Sequence, residues 1–515
     1  MNRACKLILM LVLVFFTCFF LFIARHRLID GDEGFYLMAS RLVLEHKTPY
    51  LDFLYTQAPL LPYAYGLWMK LFGISWFSAR SFSAMLTTIL GLLIYEHVCR
   101  ETEKWTAGAL AVIVFASSTL IFAWFPIVKT YSLTGVLLFG AYAILTRLTR
   151  ASSQWLVAVA GMLYGLSVNT RSYVVGLVPL LLWWIFRHPE THNGIPRILW
   201  FLGGLVIGSV PSLYLLASFP DMFLFNNLGY HAIRSHGGLI GAWGNKLHIV
   251  RTVLFSTRDN GLQFSILAVT SFVVIFVLRM RRDGPLLAFL IAFALGFVSI
   301  LPTPSYAQYF CLCMPFLIVA AVCGTSDYFT SLRPARPRWV AVLAGVAMLA
   351  FVASSGPSFQ RYLVTGDSVI GIEDTRDAPN WTLDNVSAVS KAIDELVAPN
   401  EEIASFWPGY IFASTAKPYP GFENDSGWVA VNQLTVDQRA KYHVSTRSHI
   451  VDHIASHTPR IVVLGNQGNE GFSDVSEWAR VLRTNGYTAV RIIGDTSIFL
   501  CCSRQGARAQ LGDEH

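Results

Sequence analysis

Apolar runs long enough, or nearly long enough, to cross a bilayer recur from the N-terminus to about residue 352. We place them at residues 7–23, 81–95, 107–122, 131–145, 155–168, 173–186, 198–217, 264–278, 286–301, 309–322 and 339–352, about eleven in all. In hydrocarbon the backbone has to satisfy its own hydrogen bonds, so runs of this length are read as helices. The expected fold is a polytopic α-helical membrane protein. Of 515 residues, 54% are hydrophobic and 14% charged, whereas a soluble domain carries about a quarter charged residues. Arg3 and Lys6 before the first run also fit a signal peptide. The run is longer than a usual h-region and no small-x-small cleavage site follows, so a retained anchor is expected.

Cations fall in alternate short loops: Arg100/Lys104, Arg147/Arg150, Arg187/Arg197, Arg279/Arg281/Arg282 and Arg333/Arg336/Arg338. Loops of the other parity are nearly bare; 125–130 holds only Lys129 and 302–308 no charge. The positive-inside rule assigns the basic loops to the cytoplasm. Asp32, Lys129, Arg171, the loop 219–262 and the tail after 353 then fall on the external side. That parity requires a break between the runs 155–168 and 173–186, at Ser167-Val168-Asn169-Thr170-Arg171-Ser172. The net charge of +7 is thus read as topology determinants and phosphate ligands, not as a nucleic-acid surface. The eight cysteines form no disulfide framework or zinc spacing.

Two segments stand apart from the helices. The loop 219–262 is too long for a simple connector, and its run 243–255 reads as a helix lying in the interface. Beyond about residue 355 polar residues occur throughout. There we expect a helix at 382–397, a strand at 402–406, a helix at 449–456, a strand at 460–464, a helix at 474–484 and a hairpin at 489–501, a small external α/β domain. The expected division is 1–354, a transmembrane domain with external loops 25–78 and 219–262, and 355–515, the external domain.

The chemistry-bearing stretch is 29–62. Asp32 and Glu33 follow the first apolar run directly, at headgroup depth. They open a short amphipathic helix, 35–44, followed by a Pro49–Tyr50 bend, Asp52, and a Gln57-Ala58-Pro59 entry into an aromatic segment ending near Phe72. An acid pair at a helix N-terminus is also favoured by the dipole alone, and Asp52 by capping its turn.

Over residues 29–80 this order resembles the first external loop of the GT-C membrane glycosyltransferases, in particular the protein O-mannosyltransferase and lipid A aminoarabinose transferase group. More weakly, the resemblance continues through the helices and into the tail. It implies a GT-C fold and a sugar donor carried on a polyprenyl phosphate. It also implies an acid of this loop as general base, here Asp32, with Glu33 positioning the acceptor or Asp32, or binding an ion. Attack opposite the phosphate would invert the anomeric centre. Arg171 is the first candidate for the donor phosphate, its Thr170-Arg171 pair being similar to a Thr-Lys pair at the family's matching break. Arg234 is the second, in His231-Ala232-Ile233-Arg234. Lys129 is the third, where the family often shows an acid or a neutral residue. Tyr55, Gln57, His231, Tyr306 and Gln308 are expected to line the cavity, the last two in a segment similar to a family Tyr-x-Gln-Tyr pattern.

Each cation and aromatic also has a structural reading, since Arg snorkels to headgroups and Tyr belongs to interface belts. No nucleotide-binding fingerprint occurs in a strand–helix context, which fits a lipid-borne donor. The expected partners are that donor, a glycan, lipid or protein acceptor, and membrane lipids, with no nucleic acid. The sequence specifies no cofactor; a divalent cation stays open, although the acid pair alone is a poor metal site. A transporter or flippase would show charges within helix cores and an internal repeat, which this chain lacks. An O-antigen-type polymerase would lack the Asp-Glu loop, and a scaffold would tolerate Asp32→Asn.

Overall fold

The computed structural model describes residues 3–149, 153–187, 194–233, 238–278, 282–330, 338–365, 369–371, 380–425, 433–465 and 475–501. The apolar runs are helical there. In order come α1 (Arg3–His26), α2 (Gly31–Leu44), α3 (Leu60–Phe72), α4 (Trp76–Thr102), α5 (Trp105–Ser117), α6 (Thr119–Trp124), α7 (Thr130–Leu145), α8 (Gln154–Thr170), α9 (Val178–Arg187) and α10 (Gly194–Ser218). The loop after α10 carries a helix at Gly238–Phe255. Helices Leu262–Phe272, Asp283–Ile300, Met314–Thr330 and Arg338–Thr365 complete the bundle. Among the described residues four helical stretches are long and apolar enough to cross a membrane: Trp76–Thr102, Gly194–Ser218, Asp283–Ile300 and Ala307–Tyr328. Shorter apolar helices accompany them.

The break expected near Arg171 is present. α8 ends at Thr170 and a 3-10 turn, Ser172–Leu177, leads into α9. Small residues bring α8 and α10 together: a Cβ at Gly161, Gly165, Gly204 or Gly208 would meet backbone of the facing helix. Asn169 donates to the Gly208 carbonyl at 2.9 Å and accepts the Ser212 N–H at 3.0 Å, which fixes the end of α8 against α10.

The last apolar helix runs to Thr365, so the composition change near residue 355 is not a helix end. Its polar residues are absorbed by packing: Ser355 donates to the Ser117 carbonyl at 2.5 Å, and Asn260 donates to Ser358 at 3.3 Å.

The tail forms the expected α/β unit. Strands β1 (Glu402–Ser405), β2 (Lys417–Pro418), β3 (Ile461–Leu464), β4 (Tyr487–Ile493) and β5 (Thr496–Cys501) build one sheet in the order β2-β1-β3-β5-β4. β1 runs parallel to β2 and β3, and β5 antiparallel to β3 and β4. Helices Leu383–Asp394, Arg447–Ala455 and Val475–Thr484 fall close to the expected positions.

This unit does not stand apart. Phe35, Leu37, Met38 and Trp76 share one buried core with Val386, Trp407, Phe412 and Ile461. Arg41 of α2 reaches into the tail and donates to the carbonyls of Ile411, Phe412, Ser414 and Ala416 at 3.0, 3.1, 2.9 and 2.7 Å. Those carbonyls end a short helix and a turn, and a cation there satisfies acceptors that would otherwise be buried unpaired. Trp407 donates from Nε1 to the Gly31 carbonyl at 2.8 Å and stacks on Trp76 at 5.6 Å. A Cβ at Gly34 would lie 2.5 Å from that indole. Gly34→Ala is therefore expected to overpack the joint and destabilise the protein by about 1–3 kcal/mol, read as a lower unfolding temperature of the purified chain.

Candidate active site

A cavity of about 1130 Å³ opens where the loop after α1, the α6–α7 loop, the break after α8, the Gly238–Phe255 helix and the Pro304–Tyr309 stretch meet. Its wall includes Asp32, Lys129, Arg171, Gln57, His231, Tyr306 and Gln308. Seven of the expected site residues are thus brought to one space.

The geometry begins with α2. Asp30 is its N-cap, accepting the Asp32 N–H at 3.1 Å, while Glu33 reaches back to accept the Asp30 N–H at 3.0 Å. That capping box gives the two neighbouring acids opposite directions. Asp32 points to the cavity with its side chain 53% exposed, and Glu33 turns inward with its side chain 0% exposed. Glu33 takes Arg80 of α4 in a two-point ion pair, 2.8 Å from Nε and 2.5 Å from Nη2. It also accepts the Val128 N–H at 3.1 Å. Arg80 donates onward to the carbonyls of Ala24, Arg27 and Leu28, at and just past the end of α1. Glu33 is not among the residues that line the cavity, so the two neighbouring acids are divided between the cavity wall and the framework behind it. Its oxygens are used in holding α1, α2, α4 and the α6–α7 loop together.

Lys129 ends the α6–α7 loop and is buried. Its ammonium lies 2.7 Å from Asp30 and 3.0 Å from Asp32, and 4.8 Å above the Trp124 ring. Burial works against this cation, but Asp30 and Asp32 more than compensate and raise its pKa above the ordinary lysine value. Burial likewise pushes the Asp30 carboxyl up, and Lys129 with Arg27 outweigh it, so Asp30 is held below the usual carboxylate range.

Arg171 sits at the break between α8 and the following 3-10 turn. It donates to Thr130 Oγ1 at 2.5 Å, and its guanidinium lies 4.6, 4.8 and 4.3 Å from the rings of Tyr131, Tyr173 and Tyr309. No carboxylate pairs with it among the described residues, and its buried Nε has no hydrogen-bond partner there. A guanidinium held by π faces keeps its full charge for an incoming anion. Tyr36 lies between these groups: burial raises its phenol most, Asp32 raises it further, and Arg171 and Lys129 pull against that.

His231 Nε2 is 3.0 Å from the Thr56 carbonyl, which requires the Nε2–H form. Gln57 follows on the same loop, where its carbonyl accepts the Tyr50 hydroxyl at 2.6 Å. Gln308 packs under Gly371, whose φ of +90° brings the backbone so close that a Cβ would stand 2.6 Å from Gln308 Oε1. Tyr55 is corrected: it lies behind the wall, fully buried among Phe35, Tyr36, Tyr50 and Phe53. Arg234 falls outside the described residues. Asp52 accepts the Thr48 N–H at 2.6 Å and closes the Pro49 turn, its structural reading. Among the described residues no group of three His, Cys, Asp or Glu side chains is placed to hold a metal ion.

Sequence reasoning missed Asp30, Tyr36 and Arg27, and the wall formed by His248, Arg251 and Arg258. For Asp30 a signal existed in the Asp-x-x-Glu spacing of a capping box. The others are assembled only by the folding together of distant segments.

Residues 56–214 match the family model described as dolichyl-phosphate-mannose-protein mannosyltransferase. A search of curated proteins gives no match. The structure is similar to the crystal structure of ArnT from Cupriavidus metallidurans bound to undecaprenyl phosphate, with a TM-score of 0.68 at 12% identity, covering 98% of this chain and 99% of that one. The apo form of the same protein gives 0.66 at 13% identity, over 96% and 98% of the two chains. The arabinofuranosyltransferase AftD from Mycobacteria gives 0.51 at 11% identity, over 98% of this chain and 40% of that one. The chain is thus an integral membrane protein with the GT-C fold, the fold of the membrane glycosyltransferases it resembles.

Proposed function

We propose that this protein is an inverting glycosyltransferase that moves a sugar from a polyprenyl-phosphate donor to an acceptor hydroxyl on the external face of the membrane. The observation that carries the reading is the meeting of an exposed carboxylate, Asp32, and an aromatic-caged guanidinium, Arg171, on one cavity wall. Asp32 takes the proton of the acceptor hydroxyl as that oxygen attacks the anomeric carbon. The bond to the lipid phosphate breaks on the opposite face, and the buried Arg171 receives the developing charge. The undecaprenyl phosphate bound by ArnT, a protein of the same fold, supports a lipid phosphate as the leaving group here. The nearly cation-free short loops 125–130 and 302–308, set against the basic loops of the other parity, support the external placement.

The test supplies the purified protein in vesicles with radiolabelled polyprenyl-phosphate sugars and follows release of the lipid phosphate. Consumption of one donor, with inverted configuration in the product, is expected. If no donor in a panel of hexoses, pentoses and aminosugars is consumed, the reading falls. Arg171→Ala is expected to raise the donor KM by about 10–100-fold, the size of a lost charge-assisted contact, with membrane insertion unchanged. Unchanged KM and turnover would remove Arg171 from the site.

A further inference from the structure

Beside Asp32 stands a second acid whose position does more than start a helix. The side chains of Asp30, Lys129 and Asp32 are 17%, 4% and 53% exposed, so the ammonium is the most buried member of a three-group chain that ends at the cavity. Both carboxylates lie within 3.0 Å of one nitrogen, and all three residues line the cavity. Two carboxylates this close repel each other and either share a proton or collect a cation. Here the cation is tethered. Lys129 enters from the start of α7, against the Trp124 ring, and Arg27, also on the wall, approaches the same ring at 5.3 Å.

We propose that Asp30 and Lys129 are positioning residues for the transfer step: Asp30 anchors the Lys129 ammonium, and the ammonium fixes the direction and counter-charge of the Asp32 carboxylate. The inference deepens the reading of Asp32 as the base and rests on it. It places Lys129 where a divalent cation would bridge two acids and takes it off the donor phosphate, which is left to Arg171.

The two roles for Lys129 separate kinetically. The experiment uses the full chain in lipid vesicles with the polyprenyl-phosphate sugar it consumes, and compares Asp30→Asn and Lys129→Ala with Asp32→Asn. Asn caps a helix as well as Asp does, so Asp30→Asn keeps the start of α2 and removes only the charge. Both Asp30→Asn and Lys129→Ala are expected to lower kcat by about 10–100-fold, the usual cost of losing an orienting group, with donor KM unchanged. Ethylammonium added to Lys129→Ala is expected to restore part of the lost turnover, and ethanol none. A raised donor KM with kcat retained in Lys129→Ala would make Lys129 a phosphate ligand and overturn the proposal. Wild-type kcat in Asp30→Asn would reduce Asp30 to a cap and also overturn it, whether or not Lys129→Ala folds. Failure of the underlying reading looks different, because Asp32→Asn itself would then keep its turnover.

Discussion

Asp32→Asn is expected to lower turnover by about 10²–10⁴-fold, the range of a positioned general base, while the protein stays folded and inserted. The two halves of this expectation have separate grounds. Turnover falls because asparagine keeps the shape of the side chain and cannot accept the acceptor proton. The fold survives because little structure rests on the carboxylate. Asp32 is the most exposed member of its ion-pair group, and Lys129 keeps Asp30 as a partner at 2.7 Å. A lost charge in the first turn of α2 costs about 0.3–1 kcal/mol through the helix dipole. Donor-phosphate release at saturating donor measures the first half and thermal unfolding the second. Turnover within a few-fold of the parent would end the base assignment and favour a binding or scaffold role for the cavity. A large drop in melting temperature would show instead that Asp32 belongs to the framework.

How far this site can be read from the chain depends on the range of the forces that make it. The helices are local. Apolar length and backbone hydrogen bonding define them, so the runs at 81–95 and 198–217 fall inside α4 and α10. The break at Arg171 was legible because charge parity demanded it. The helix through residue 355 was not, because Ser355 and Ser358 are made tolerable by Ser117 and Asn260, partners far away in sequence. Within the site, Asp32 and Arg171 stood out as charges at the ends of apolar runs. The direction of Glu33 did not, since one residue of rotation about α2 and the distant Arg80 decide it. Tyr55 failed for a related reason: next to a wall residue in sequence, it faces the aromatic core behind the wall. The joint between α2 and the tail was also invisible, because Trp407 and the carbonyls held by Arg41 come from more than 360 residues away.

Glu33→Gln, one residue along, is expected to fail in the opposite manner, by destabilising the protein. Arg80 has five N–H donors, and each is committed: two to Glu33 and one each to the carbonyls of Ala24, Arg27 and Leu28. Neither side chain of the pair has measurable exposure, so no water can replace a lost contact. Glutamine offers one acceptor oxygen and turns an amide donor against a guanidinium that can accept nothing. Arg80 is then a buried cation without its counter-charge, a state that costs about 3–5 kcal/mol. Folded proteins hold a margin of about 5–15 kcal/mol, so the loss is a large share of it. Replacing both partners with apolar residues would not recover the stability. The N–H groups of Asp30 and Val128 and the carbonyls of Ala24 and Arg27 would lose these partners, and only the Leu28 carbonyl would keep another, the Arg27 guanidinium. The expected result is a sharply lower unfolding temperature and poor recovery from membranes, with residual turnover in proportion to the folded fraction. A Glu33→Gln protein that melts like the parent yet turns over nothing would reverse the argument. It would mean that the cavity reaches Glu33 during the reaction, and that the acid pair acts together after all.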